Sequence, residues 1–130
     1  MKPKRIILIR HGQSEGNVDP KIYNKPPDYK LNLSATGRVE ARDAGVKIKK
    51  IIRNENLHVY HSPYYRVRQT YEEIKKSIID NVSECVEDPG LREQDWGHLR
   101  DVAEGKEIDK ERDECGPFYY RIPDGESVAD

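Results

Sequence analysis

A run of apolar residues near the N-terminus, Ile6 to Ile9, is the feature that most constrains the fold of this chain. The run is rich in β-branched residues and does not alternate with polar ones, which is typical of a central strand covered on both faces. It is too short to span a bilayer or to form the core of a signal peptide. It therefore predicts a buried strand in a cytoplasmic protein.

Segments with helical and strand patterns alternate after this run. Apolar residues recur at helical spacing along the first segment, and Ser34 or Thr36 offers an N-cap. A serine followed by proline is a common start signal for a helix. The predicted elements are a helix over Ser34–Asn54, a strand over Leu57–Tyr60, a helix after Ser62-Pro63 and a strand over Ser83–Val86.

The remaining segments have the composition of connections. Val18–Lys30 is polar and contains three prolines, which predicts a loop, and Asp88 to Gly90 predicts a turn. Asp101–Arg112 is so highly charged that it predicts a solvated helix or a mobile excursion, after which Phe118–Tyr120 is expected to anchor the chain. Strands that alternate with helices predict an α/β fold with a mostly parallel sheet, in one domain over residues 1–130.

The charge composition excludes some classes of partner. The chain has 23 basic and 24 acidic residues and a net charge of −1, so no strong field favours nucleic acid or a membrane surface. Cys85 and Cys115 lack the spacing of a redox pair or of a zinc site. We expect no cofactor and no metal, and any binding of anions must come from a local arrangement.

Polar residues suited to phosphate chemistry follow each predicted strand. Arg10 and His11 follow the first strand, Arg66 follows the second, and Glu93 follows the third. The carboxyl ends of parallel strands lie at one edge of a sheet, so these side chains are expected to meet there. Arginine forks bind phosphate oxygens well, and Arg66 is predicted to lie in the first turn of a helix, where free N–H groups also favour an anion.

His11 and Glu93 are the candidates for chemistry. A neutral imidazole with one ring nitrogen held by an acceptor can attack phosphorus through the other nitrogen. Glu93, if partly desolvated, could protonate the leaving oxygen and then activate water. Taken singly, Arg66 and Glu93 are better interpreted as ordinary surface or capping residues. The ordered occurrence of all four favours a site.

These motifs resemble the histidine phosphatase superfamily, also called the phosphoglycerate-mutase-like family. The family signature of arginine, histidine and glycine after the first strand is matched by Arg10-His11-Gly12, and Asn17 matches a common later position. Further agreement covers nearly the whole chain. It comes from Leu33 to Gly37, Ser62-Pro63 with Arg66 and Thr70, Arg92 to Asp95 with Gly97, and Tyr120 to Ser127, the last two as in plant and fungal mutase-like members.

The resemblance implies a function and assigns the site residues. It implies a three-layer α/β/α fold, a phosphohistidine intermediate on His11 and acid/base work by Glu93. It also implies phosphate contacts from Arg10, Arg66 and Asn17. Family members carry a second histidine, in a histidine-glycine pair after a later strand, which these 130 residues lack. We therefore expect a single domain that is incomplete at its C-terminus, with impaired hydrolysis and an open sheet edge that favours self-association.

Three functions remain open from the sequence. Hydrolysis of a phosphorylated small molecule is favoured, because true mutases carry a longer insertion after the acid/base glutamate. Phosphoryl transfer of the phosphoglycerate-mutase type is the enzymatic alternative. A non-catalytic module that binds phosphate or a partner protein is the third, motivated by the missing second histidine. The sequence does not identify the substrate, because specificity would come from loops of generic composition.

Overall fold

The computed structural model describes residues 2–97 and 102–130 of the chain. Four α-helices lie in these residues: α1 (Glu15–Val18), α2 (Ala35–Ile52), α3 (Tyr65–Ile78) and α4 (Val102–Cys115). Short 3-10 turns occur at Pro20–Asn24, Asp28–Lys30, Ile79–Asn81 and Pro89–Leu91. The predicted long loop is therefore built from two such turns, and the predicted turn after the third strand is confirmed.

Two strands form a parallel sheet, β1 (Leu57–His61) and β2 (Val82–Glu87). In their register Val59 lies opposite Cys85 and His61 lies opposite Glu87. Helix α3 connects the end of β1 to the start of β2, as expected for parallel neighbours. The predicted α/β class with a parallel sheet is confirmed.

The core lies where α2 and α3 pack together and against the start of the sheet. Ile48 and Ile52 of α2 contact Ile74 and Ile78 of α3, and Leu57 and Val82 pack against this cluster. Helix α2 begins after Ser34, whose hydroxyl accepts the backbone N–H of Gly37, so the predicted N-cap is confirmed. The helical spacing in α2 thus identified its buried side, apart from Ile51, which is exposed.

The predicted first strand is wrong for this structure. Residues 6–9 belong to no strand, and Ile6, Leu8 and Ile9 are exposed. The segment is held near its start, where Lys4 and Arg5 donate to the Glu55 carboxylate just before β1. An apolar run becomes a strand only when a neighbour supplies the ladder of hydrogen bonds, and the described residues supply none.

Two smaller predictions also need correction. Helix α3 begins at Tyr65 rather than directly after Ser62-Pro63, and no side chain caps it; the Ser62 hydroxyl accepts from the backbone N–H of Tyr64 instead. The predicted aromatic anchor is exposed at Phe118 and Tyr119, whereas Ile122 is fully buried and fixes this part of the chain. The charged segment forms the helix α4. The segment was predicted to begin at Asp101, which lies outside the described residues.

Among residues 2–97 and 102–130, the helices are each too short or too polar to cross a bilayer.

The core contact makes a prediction about stability. Replacing Ile52, which is fully buried between α2 and α3, by alanine should lower the free energy of unfolding by about 2–5 kcal/mol, because a cavity remains. The neighbouring Ile51→Ala should change it by less than about 1 kcal/mol, since Ile51 is exposed. Urea denaturation of both variants measures the difference. Equal losses would contradict the assigned core.

Candidate active site

The segment that carries His11 is held against the start of α2 by a close backbone approach. An added Cβ on Gly12 would lie 2.4 Å from the carbonyl oxygen of Gly37, and one on Gly37 would lie 2.1 Å from the carbonyl oxygen of Gln13. Both glycines are therefore required by the contact between two stretches of backbone.

Hydrogen bonds to both long helices fix the same segment. The Gln13 carbonyl accepts the N–H of Ser34, and the Ser34 hydroxyl donates to the side-chain oxygen of Gln13 at 2.7 Å. From α3, the Thr70 hydroxyl accepts the N–H of Gly12 at 3.2 Å and donates to the carbonyl of Arg66. His11 thus lies between the N-terminal ends of α2 and α3.

The ring of His11 is oriented by its own backbone. Its Nδ1 lies 2.7 Å from the carbonyl oxygen of Gly12, a distance and partner that require a proton on Nδ1. In the neutral ring this leaves the lone pair on Nε2. The side chain is half-buried, and this burial is the main cause that lowers the pKa of His11 below its usual value. The neutral, nucleophilic form is therefore favoured.

The charged residues predicted for the site act on the same imidazole. The positive charges of Arg66 and Arg10 also lower the pKa of His11, whereas the Gly12 carbonyl and the charge of Glu93 act to raise it. All three charged side chains therefore lie within electrostatic reach of His11. The structure thus brings together the four residues that were predicted to follow the three strands. They are Arg10, His11, Arg66 and Glu93.

Arg66 is buried and its guanidinium is held by an aspartate. Its Nη1 and Nη2 donate to the two carboxylate oxygens of Asp28 at 2.8 and 3.1 Å, and Nη1 also donates to the Asp28 carbonyl. The Arg66 side chain is 4% exposed and that of Asp28 is 35% exposed. Asp28 thus occupies the edge of the guanidinium formed by Nη1 and Nη2, which a phosphate could otherwise bind, whereas Nε remains for another acceptor.

Two tyrosines surround this ion pair. The guanidinium of Arg66 lies 4.9 Å from the ring centroid of Tyr64, and the ring of Tyr23 packs directly on Gly16. Burial is the main cause that raises the pKa of both hydroxyls, and the Asp28 carboxylate raises it further. Asp28, Tyr23 and Tyr64 were missed in the sequence, because a loop of generic composition gives no periodic signal.

Arg10 and Asn17 lie beside His11 at an open cavity. Together with Gln13 and Glu40, these three residues line a cavity of about 270 Å³. The side-chain oxygen of Asn17 accepts from the backbone N–H and the hydroxyl of Ser14, which caps α1. This leaves the amide N–H groups of Asn17 as its donors toward an anion. The carboxylate of Glu40 accepts the N–H of Gln13 and was not predicted.

Glu93 lies on the segment after β2 and its side chain is exposed. One of its carboxylate oxygens accepts the N–H of the next residue, Gln94, at 3.2 Å. The partial desolvation on which its predicted acid role depends is therefore not supplied by the described residues. Over those same residues, no group of His, Cys, Asp and Glu has the arrangement of a metal site.

The sequence matches the family model for the histidine phosphatase superfamily (branch 1) over residues 6–130. A match over nearly the whole chain shows the family, so the chain belongs to the histidine phosphatase superfamily. The resemblance found in the motifs is thereby confirmed.

The curated relatives include proteins of a plant and of yeast. Phosphoglycerate mutase-like protein AT74H of Arabidopsis thaliana is 39% identical over 144 residues, which cover 100% of this chain and 50% of the relative. Broad-range acid phosphatase DET1 of Saccharomyces cerevisiae is 24% identical over 219 residues, covering 99% of this chain and 66% of that protein. The chain spans about half the length of the Arabidopsis relatives that it matches.

Solved structures show the same fold. Mycobacterial hydrolase 1 superposes with a TM-score of 0.65 at 20% identity, covering 92% of this chain and 55% of that one. The protein histidine phosphatase SixA in complex with tungstate superposes with a TM-score of 0.50 at 22% identity, covering 82% of this chain and 58% of that one. At these identities the likeness concerns the fold alone.

The lowered pKa of His11 predicts how its ring titrates. Because burial disfavours the charged ring, His11 should remain neutral as the pH falls through 6.5, the ordinary histidine value, and become protonated only below it. Since the unfolded state then binds more protons, the stability contribution of His11 should fall as the pH drops from 6.5 toward its folded pKa. An NMR titration of the imidazole measures this. A midpoint above 6.5 would contradict the burial argument.

The Arg66–Asp28 pair predicts a loss of stability. Asp28→Ala leaves the buried guanidinium of Arg66 without its carboxylate, so the free energy of unfolding should fall by about 1–3 kcal/mol, less than for a fully buried pair because Asp28 is partly exposed. Glu87→Ala removes only an exposed pair with Arg68 and should cost less than about 1 kcal/mol. Chemical denaturation compares the two, and equal effects would argue against a structural role for Asp28.

Proposed function

We propose that this member of the histidine phosphatase superfamily hydrolyses a phosphomonoester through a phosphohistidine intermediate on His11. The first support is the orientation of the imidazole. The proton on Nδ1 is held by the Gly12 carbonyl, so the lone pair on Nε2 is the one available to a phosphorus atom. This is the observation that carries the proposal.

In the first step, Nε2 of His11 attacks phosphorus and a nitrogen–phosphorus bond forms. The bond from phosphorus to the ester oxygen breaks, and the carboxyl of Glu93, in the protonated form that it must reach in the complex with substrate, gives its proton to that leaving oxygen. Arg10, Arg66 and the amide of Asn17 bind the phosphate oxygens. Their positive charges and donors stabilise the charge that grows on the transferring group.

In the second step, water attacks the phosphohistidine. The Glu93 carboxylate takes the proton of the water, the bond between phosphorus and Nε2 breaks, and inorganic phosphate leaves. The electron pair returns to Nε2, and Glu93 is again protonated for the next cycle. Proton, phosphoryl group and electron pair are thus balanced by two residues of the chain and water.

The name of one relative supports hydrolysis. The yeast relative is a broad-range acid phosphatase, and the plant relatives are called phosphoglycerate mutase-like proteins. Transfer between positions of one substrate would use the same first step, with a second hydroxyl in place of water. We place hydrolysis first because water needs no additional binding site in the described residues.

Trapping of the intermediate tests the proposal. The protein is incubated with a radiolabelled phosphomonoester and denatured at alkaline pH, where a phosphohistidine survives. Label is expected on the wild type and not on His11→Asn. Labelling that persists in His11→Asn, or a wild type that takes no label and releases no phosphate, would overturn the proposal; binding of phosphate without any label would favour the non-catalytic module.

His61 provides the matched control. Its Nδ1 also lies near the carbonyl of the following residue, Ser62, at 3.0 Å, but its ring stacks on Tyr71 rather than lying beside Arg10 and Arg66. His61→Asn is therefore expected to label like the wild type. A loss of label in this variant as well would show that the assay does not report on His11.

A further inference from the structure

The segment that carries Glu93 is bound along its length by a second segment near the C-terminal end of the described residues. Residues 92–97 follow β2 and its short turn, and residues 121–126 return to lie against them. The side-chain amide of Gln94 donates to the Glu126 carbonyl at 2.7 Å, and the N–H of Glu126 donates to the Asp95 carbonyl at 2.9 Å. The two segments are thus joined by one bond between backbones and one bond from a side chain to the backbone.

The carboxylate of Glu126 adds contacts on both sides of Glu93. One oxygen accepts from Nη2 of Arg92, the residue before Glu93, and the other accepts the N–H of Asp95, two residues after it, at 3.0 Å. Nη1 of Arg92 in turn donates to the carbonyl of Glu93 at 3.3 Å. Glu126 therefore holds the chain immediately before and after Glu93 through contacts that do not use the Glu93 carboxylate.

Two glycines permit this close pairing. Gly97 has a φ of +67°, which favours glycine, and an added Cβ there would lie 2.3 Å from the carbonyl oxygen of Pro123. A Cβ on Gly125 would lie 2.4 Å from the carbonyl oxygen of Asp95. Ile122, within the second segment, is fully buried. The second segment therefore carries a buried residue of its own besides its contacts with residues 92–97.

We infer that Glu126 is a positioning residue that clamps the segment 92–97 and thereby holds the Glu93 carboxyl beside His11. The catalytic half of this inference rests on the proposed function of Glu93 as acid and base. Hydrogen bonds from Arg92 and from the Asp95 N–H lower the pKa of Glu126, so its carboxylate is ionised at neutral pH and keeps both contacts. Glu126 itself touches neither substrate nor His11.

Trp96 is a built-in reporter of the clamp, because it is the single tryptophan of the chain and lies within the clamped segment. Its ring lies 5.4 Å from the guanidinium of Arg112 in α4. Glu126→Ala removes both carboxylate contacts and should release the segment, so that quenching of the Trp96 fluorescence by acrylamide rises by about twofold. Glu126→Gln retains one acceptor oxygen and should show an intermediate effect.

Glu55→Ala is the matched control for the clamp. Glu55 is also a carboxylate with two contacts, from Lys4 and Arg5, but it lies just before β1, far along the chain from Trp96. Its removal should leave the quenching of Trp96 unchanged. Unchanged quenching in Glu126→Ala as well would overturn the clamp itself.

The consequence for catalysis is tested by the leaving group. An alkyl phosphate such as glycerol phosphate needs a proton on its leaving oxygen, whereas para-nitrophenyl phosphate does not, because nitrophenolate is a stable anion. A misplaced Glu93 should therefore lower kcat/KM of Glu126→Ala, which reports the step in which the leaving oxygen departs, by about tenfold to a hundredfold for the alkyl ester. The loss for the aryl ester should stay within about threefold.

The outcomes distinguish a failure of the inference about Glu126 from a failure of the proposed function. Greater quenching of Trp96 with equal losses of kcat/KM for both esters would overturn the positioning of Glu93, since a general structural effect does not depend on the leaving group. A wild type that hydrolyses neither ester refutes the proposed function and with it the catalytic half of the inference. In that case the Trp96 measurement still decides whether Glu126 clamps the segment.

Discussion

The contact between the His11 segment and the two long helices is the constraint on which the rest of the site depends. The apolar run before His11 forms no ladder with β1 or β2, so strand pairing does not fix its position. The fixing contacts come instead from Gly37 and Ser34 at the start of α2 and from Thr70 in α3. Because the same α3 carries Arg66, the proposed nucleophile His11 and an arginine proposed to bind phosphate are placed relative to one another by one helix. The isoleucine contacts between α2 and α3 therefore maintain the geometry of the site as well as the fold.

In a chain of net charge −1, some arginines around the site are paired with carboxylates and one is left open. Arg66 is bound by Asp28, and Arg92 is bound by Glu126. Arg10 makes no ion pair within the part of the chain that the structure describes, and it lines the cavity beside His11. An incoming phosphate would therefore meet Arg10 without displacing a carboxylate, and would add to Arg66 through the donors that Asp28 leaves free. The paired carboxylates keep the guanidinium groups of Arg66 and Arg92 oriented, but they also offset part of the positive charge of these two groups.

Local patterns in the sequence were sufficient for helices α2 and α3 and for strands β1 and β2. The spacing of Ile48 and Ile52 and the cap at Ser34 depend only on neighbours along the chain, and both predictions are confirmed. The prediction of a strand at Ile6 to Ile9 was wrong because a strand also needs a partner strand, which is supplied by distant residues. Asp28 and Glu126 were missed for the same reason. Each acts on an arginine at least 34 positions away in the chain, and no period in the sequence records such a contact.

The two carboxylates that were missed, Asp28 and Glu126, have the same physical role, which the motif residues do not reveal. A phosphoryl-transfer site needs cations and an acid within a few ångströms, and such groups on a flexible loop lose most of their effect through misplacement. Asp28 restrains Arg66 through both of its terminal nitrogens, and Glu126 restrains Glu93 through the residues that flank it. Each restraint leaves the reactive atoms themselves uncommitted: Nε of Arg66, and the second carboxylate oxygen of Glu93. Since His11 is held in the same manner, through Nδ1 and not Nε2, all three groups are oriented by atoms that the proposed chemistry does not use.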